Sequence, residues 1–183
     1  MTYHRAMKTS LVVTVIGDDR PGIVEALSEQ VLAAGGNWEE SRMARLAGKF
    51  AGLLLVSVDA ARADDLAAAL SNLRPESLTI VARRSDAPAE TLQPYTLQVL
   101  GSDHPGIVRD ISRVLSQHGV NIEELETEVT SAPMSGEPLF RARAELRLPS
   151  AVSAEQLRRL LEALAADVMV DVTLSAAIEL DRS

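Results

Sequence analysis

Two stretches of this chain say nearly the same thing. "GDDRPGIVEALSEQVLAAGGN" fills positions 17–37, and "GSDHPGIVRDISRVLSQHGVN" fills positions 101–121. One offset of 84 residues carries Gly17 to Gly101, Asp19 to Asp103, Pro21-Gly22-Ile23-Val24 to Pro105-Gly106-Ile107-Val108, and Gly35 to Gly119. It also carries Asn37 to Asn121 and Glu39-Glu40 to Glu123-Glu124. A repeat this long means two copies of a domain rather than a solenoid of short units. The 183 residues are enough for two small cores.

Each copy reads alike. A strand comes first, with Leu11, Val13 and Val15 alternating against Val12, Thr14 and Ile16, and with Tyr95, Leu97 and Val99 in the second copy. A helix then opens at Pro21 or Pro105, where the fixed φ of proline suits the first turn. Its inward stripe is Ile23, Leu27 and Val31, or Ile107, Ile111, Val114 and Leu115. Gly35 and Gly119 stand where a left-handed residue ends a helix. Second strands are expected near Trp38–Arg45 and Ile122–Thr130.

The third strand is clearest in "FRARAELRL", which alternates Phe140, Ala142, Ala144, Leu146 and Leu148 with charged residues. Second helices carry Leu66, Leu70 and Leu73, and Leu157, Leu160, Leu161 and Leu164, the latter with a Ser153/Gln156 capping box. Last strands are expected at Leu78–Ala82 and Val168–Leu174. The class is therefore α+β: two tandem ferredoxin-like βαββαβ domains with antiparallel sheets. They are expected at residues 1–84 and 95–183, joined by a polar linker at 85–94 inside "RRSDAPAETLQP". Phe50 matches Phe140 at an offset of 90, so about six residues have entered the second hairpin at "TSAPMSGEP". In the first copy the outward residues of the third strand are Ala51, Leu53, Leu55 and Ser57, an apolar face expected to pack on another sheet.

Several function classes fall away. No cysteine means no thiolate nucleophile, thiolate metal site or disulfide. A net charge of −8 with no Lys/Arg run argues against gripping nucleic acid directly. The start of the chain is not a signal peptide and no apolar run reaches the roughly 20 residues of a membrane span, so the cytoplasm is the expected compartment. His4, His104 and His118 share no metal-ligand spacing, and no metal or cofactor is expected. The adjacent glutamates are expected on opposite faces of a strand, not as paired carboxylates. There is no nucleophile elbow, phosphate loop or zinc-protease motif, so the chain is expected not to be an enzyme.

The repeated turn has chemistry of its own. Free N–H groups at a helix start favour an anion, and Asp19 or Asp103 beside them can accept from an ammonium. Together they suit a free α-amino acid. The same aspartate can instead be a plain N-cap. Asn37 and Asn121 either contribute an amide to the ligand or merely follow a helix-ending glycine. His104, standing where the first copy has Arg20, either tunes a pH response or is an exposed turn residue.

A strand, Asp-x-Pro-Gly-Ile, a helix and Gly-x-Asn within βαββαβ resemble the ACT domain, a regulatory module that typically binds amino acids. The resemblance spans about Leu11 to Ile178. It implies ligand contacts at Asp19, Pro21, Gly22, Ile23 and Asn37, and at Asp103, His104, Pro105, Gly106, Ile107 and Asn121. Two copies with nothing attached resemble the glycine-cleavage repressor branch, which implies glycine as ligand and a transcription factor as protein partner; the apolar sheet face adds the expectation of a homodimer. A detached regulatory subunit that docks on a metabolic enzyme, and a ligand-free scaffold, are the rival readings.

Overall fold

The computed structural model describes residues 7–73, 78–85, 92–133 and 135–177. The chain divides into two compact units, Met1–Pro88 and Ala89–Ser183. That division falls inside the expected linker, of which residues 86–91 lie outside the described residues. The strands take the ends of that segment, because the fourth strand runs to Ser85 and the fifth begins at Gln93. Ile178, expected to close the second copy, is also outside the described residues.

The first unit is β1 (Lys8–Asp18), α1 (Ile23–Ala33), β2 (Asn37–Leu46), β3 (Lys49–Asp59), a 3-10 turn (Ala60–Arg62), α2 (Ala63–Asn72) and β4 (Thr79–Ser85). The second is β5 (Gln93–Ser102), α3 (Ile107–Gln117), β6 (Asn121–Ser131), β7 (Pro138–Leu148), α4 (Ala154–Asp167) and β8 (Val170–Ala176). Each builds one four-stranded sheet, in the order β2-β3-β1-β4 and β6-β7-β5-β8. Every pairing is antiparallel. This is the split βαβ arrangement that the repeat predicts.

One face of each sheet holds the core. Leu11, Val13 and Val15 of β1 and Leu54, Val56 and Val58 of β3 are buried with Ile23, Leu27 and Val31 of α1 and Leu66 and Leu70 of α2. In the second unit Phe140, Ala142, Ala144, Leu146 and Leu148 play the β3 part. Leu160, expected in the α4 stripe, is exposed, because the inward face passes through Leu157, Leu161 and Ala165. Both first helices end in a Schellman motif. Gly36 N–H reaches Val31 O at 2.9 Å and Gly35 N–H reaches Leu32 O at 2.8 Å, and Val120 and Gly119 repeat this with Leu115 and Ser116.

The outer faces differ. In the first sheet Ile16, Leu53 and Val81 are exposed at 52, 52 and 41%. In the second, Arg141 pairs with Glu128 at 3.2 Å and Arg147 with Glu123 at 2.8 Å. No helix among the described residues is long and apolar enough to cross a membrane.

Two local expectations are corrected. Pro21 and Pro105 do not open their helices, which begin at Ile23 and Ile107 after a glycine N-cap. The glutamates are the second case. A β-bulge falls between Trp38 and Glu40 and again between Ile122 and Glu124. The extra residue brings Glu39 onto the outer face with Glu40, where it accepts from the Ser57 hydroxyl and, at 3.0 Å, from the Asn37 amide. Those two donors, the hydroxyl first, hold the Glu39 carboxyl below its ordinary range.

Candidate functional site

The repeated turns lie where β1 meets α1 and where β5 meets α3. The backbone reaches each helix through a left-handed glycine, φ 89° at Gly22 and 104° at Gly106. Any L side chain is strained there, which is why the motif holds glycine at this point. Neither helix start receives a side-chain cap. The first helical bonds are Ala26 N–H to Gly22 O and Asp110 N–H to Gly106 O, both 2.9 Å. The N–H groups of the three preceding residues therefore face outward without an intrahelical acceptor, at the positive end of each helix. Asp19 and Asp103 are not N-caps. Their backbone N–H groups are instead tied across the hairpins, to Gly48 O and Pro138 O, both at 3.0 Å.

Asp19, Pro21 and Gly22 are exposed at one end of the first sheet, as are Asp103 and Pro105 in the second. Gly22 has open space where a Cβ would be, and Gly106 has the Arg109 guanidinium 3.3 Å from that point. Ile23 and Ile107 are core residues, 3 and 2% exposed. Their side chains face α-helix and sheet, so only their N–H groups are offered to a ligand. Asn37 and Asn121 are not brought to the turns of their own units. Asn37 lies across Ser57 from Ser10, whereas the turn follows Asp18. The separation is roughly 26 Å at about 3.3 Å per strand residue. Asn121 is likewise in line with Pro94 through Arg147, at the far end from Ser102.

His104 is half-buried and is not a loose turn residue. Its Nε2 lies 2.8 Å from Val168 O and its Nδ1 3.2 Å from Pro105 O. A neutral ring can donate to only one of these carbonyls, whereas the imidazolium can donate to both. Val168 is the C-cap of α4, so the charge also meets the negative end of that helix. The Val168 carbonyl, then that of Pro105, raises the His104 pKa, and Asp103 and Asp110 add to this. A raised folded-state pKa stabilises fully below the unfolded value of about 6.5, and the contribution disappears as pH rises through the folded value. The urea midpoint of the wild type is therefore expected to exceed that of His104→Gln below about pH 6, with the gap narrowing toward about pH 8. A gap that does not change with pH would count against the imidazolium brace.

Sequence reasoning missed the groups that surround the turns. Arg45 Nε binds Asp19 Oδ2 at 2.7 Å, and Lys49 binds Asp18. Both flank the two-residue β2–β3 connection at Ala47 and Gly48, and the signal for their reach is only the length of that hairpin. Arg109 grips Asp110 through two bonds of 2.9 and 3.2 Å. That pair lowers the Asp110 pKa. A second unforeseen feature is an apolar cleft under α3, lined by Val108, Ile111, Ile122, Leu125 and Ala144. The first unit has Trp38 and Leu54 where this one has Ile122 and Ala144. Among the described residues no cluster of His, Asp and Glu is suited to a metal ion.

Comparison with known proteins matches these elements to one family. Residues 9–81 and 95–166 each match a model described as an ACT domain. The glycine cleavage system transcriptional repressors of Escherichia coli K12 and Shigella flexneri are each 27% identical over 161 residues, covering 86% of this chain and 85% of theirs. The crystal structure of an unknown protein from Galdieria sulphuraria is 35% identical with a TM-score of 0.84, over 94% of this chain and 100% of that one.

Proposed function

The chain belongs to the ACT-domain family, and from that premise we propose that it is a non-catalytic sensor of a small amino acid. The observation that supports this best is the pair of uncapped helix starts, each beside an aspartate that does not cap it. The helix start suits a carboxylate, and the aspartate suits an ammonium. Relatedness to the glycine cleavage repressors favours glycine as the ligand and a transcription factor as the protein that reads the bound state. Regulation then follows from linkage: the ligand shifts the chain between two states by no more than its difference in affinity for them. Asn37 and Asn121 join such a site only from another ACT domain, which we assign to a second copy of the chain. The exposed Ile16, Leu53 and Val81 face is the surface offered for that copy.

A thermal-shift screen of the twenty amino acids tests the reading. Glycine at about 100 times its Kd is expected to add about 2.7 kcal/mol of stability. Asp103→Ala is expected to abolish the second unit's share of that gain while leaving the unliganded melting temperature within a few degrees. No stabilisation by any amino acid would leave only a protein-contact scaffold.

A further inference from the structure

The two turns share a backbone but not their company. Asp19 is held by the Arg45 guanidinium at 2.7 Å, with Lys49 on the neighbouring Asp18 and Arg20 exposed next in the chain. The register identifies the equivalent positions in the second unit. Arg45 is paired with Phe50 as Val129 is with Phe140, and Asp18 with Lys49 as Ser102 is with Leu139. Both cations are therefore replaced by apolar residues. Among the described residues Asp103 has no ion-pair or hydrogen-bond partner for its carboxylate. The neighbouring imidazole of His104 is spent on the Val168 and Pro105 carbonyls.

The helix starts differ less. Arg109 occupies the third position of α3 and leans over Gly106. Glu25 occupies the third position of α1, while Gly22 has nothing within 4 Å of where a Cβ would be. A ligand carboxylate meets an acid in the first turn of either helix, Glu25 or Asp110, and the Arg109 guanidinium is already gripped by Asp110. The ligand's ammonium meets an unpaired carboxylate in the second unit and one already neutralised in the first. The ammonium of a zwitterion thus finds a free complement in the second turn and an occupied one in the first.

We infer that the second unit's turn is the tighter amino-acid site and that Arg45 holds the first turn in a self-occupied, weaker state. This rests on the sensing role proposed above and adds which of the two sites responds. Arg45 is a specificity-determining residue that acts through Asp19. Because the Arg45–Asp19 pair is exposed, it is a weak plug that a ligand displaces at a cost. The expected gap in affinity is therefore about five-fold.

Residue-resolved amide titration of the intact chain with glycine separates the two turns in one experiment. In the wild type, the amides of Val108 and Arg109 are expected to saturate at about one fifth of the glycine concentration needed by Val24 and Glu25. Arg45→Gln is expected to tighten only the first pair, by about five-fold, and Asp103→Asn to abolish saturation of only the second. Arg45 is exposed, and a urea midpoint unchanged by its replacement checks that folding is intact. Equal saturation of both turns, a tighter first turn, or an Arg45→Gln variant that titrates like the wild type would overturn the inference while leaving amino-acid sensing in place. If glycine and the other amino acids move neither pair, both the sensing role and this inference fall together.

Discussion

Leu54→Ala is expected to lower the stability of the first unit by about 2–5 kcal/mol. Leu54 is 1% exposed on β3, one strand in from the sheet edge, and packs into the core that α1 and α2 close. Removing its three outer carbons forfeits their burial and leaves a cavity that a central strand cannot collapse. The second unit shows what the vacancy looks like, because Ala144 stands at the equivalent place and lines the apolar cleft under α3. The chain's single tryptophan offers a clean readout. Trp38 packs against the first core, so its fluorescence during urea unfolding follows that unit and is insensitive to the other. Two units in one chain need not unfold together, which makes this selectivity necessary. A fluorescence midpoint within error of the wild type would mean that Leu54 is not packed as described.

Gly101→Ala is expected to destabilise the second unit by about 3 kcal/mol, near the upper end for forced overpacking. Gly101 pairs with Val170 at the point where β8 begins. A Cβ there would lie 2.7 Å from Val170 Cα and 2.8 Å from Met169 O, backbone atoms at and just before the start of β8. Neither can retreat by a rotamer change, and Met169 is already committed to a left-handed φ of 52°. The substitution therefore pushes β5 and β8 apart. Far-UV dichroism is expected to show an earlier second transition while the Trp38 transition stays in place. Because Val168 precedes this joint, the pH-dependent gap between the Gly101→Ala protein and its His104→Gln double mutant should also shrink. Retention of the full wild-type midpoint in dichroism would refute the close approach.

Most of the fold was legible because it depends on periodicity and repetition. Alternation in "FRARAELRL" and the 3-4 spacing of Ile23, Leu27 and Val31 are direct records of which side is buried. The insertion was legible too, since Phe50 and Phe140 pair with Gly17 and Gly101 and so mark the same place in each unit. The bulges at Glu39 and Glu123 were not. One extra residue in a polar edge strand leaves alternation looking intact, although every side chain beyond it changes face. The helix starts were misplaced by two residues because proline at a first turn and proline before a left-handed glycine look the same in sequence.

Of the site, the turns were legible and their neighbours were not. Asp-x-Pro-Gly announces a helix start with an acid beside it. Whether that acid is spoken for depends on Arg45, which is 26 residues away and reaches Asp19 only through the hairpin. The same limit hid the His104 contact, whose acceptor lies 64 residues downstream. Asn37 was grouped with the turn although the sheet carries it to the opposite end, since short spacing from a helix says nothing about which end of the helix matters.

The two-residue connection at Ala47 and Gly48, with φ of 48° and 79°, has a bearing on biosynthesis. Both angles are those of a type I′ hairpin, whose twist suits the strands it joins. Closing two residues rather than the six of 132–137 saves about 1 kcal/mol of chain entropy, so β2 and β3 find each other sooner than β6 and β7 do. The earlier-synthesised copy is thus the one with the faster-closing ribbon. A nascent first unit whose β1 and β3 are already paired on both sides leaves only the edges of β2 and β4 open to the copy still emerging behind it, which helps guard a duplicated chain against crossing its strands between copies.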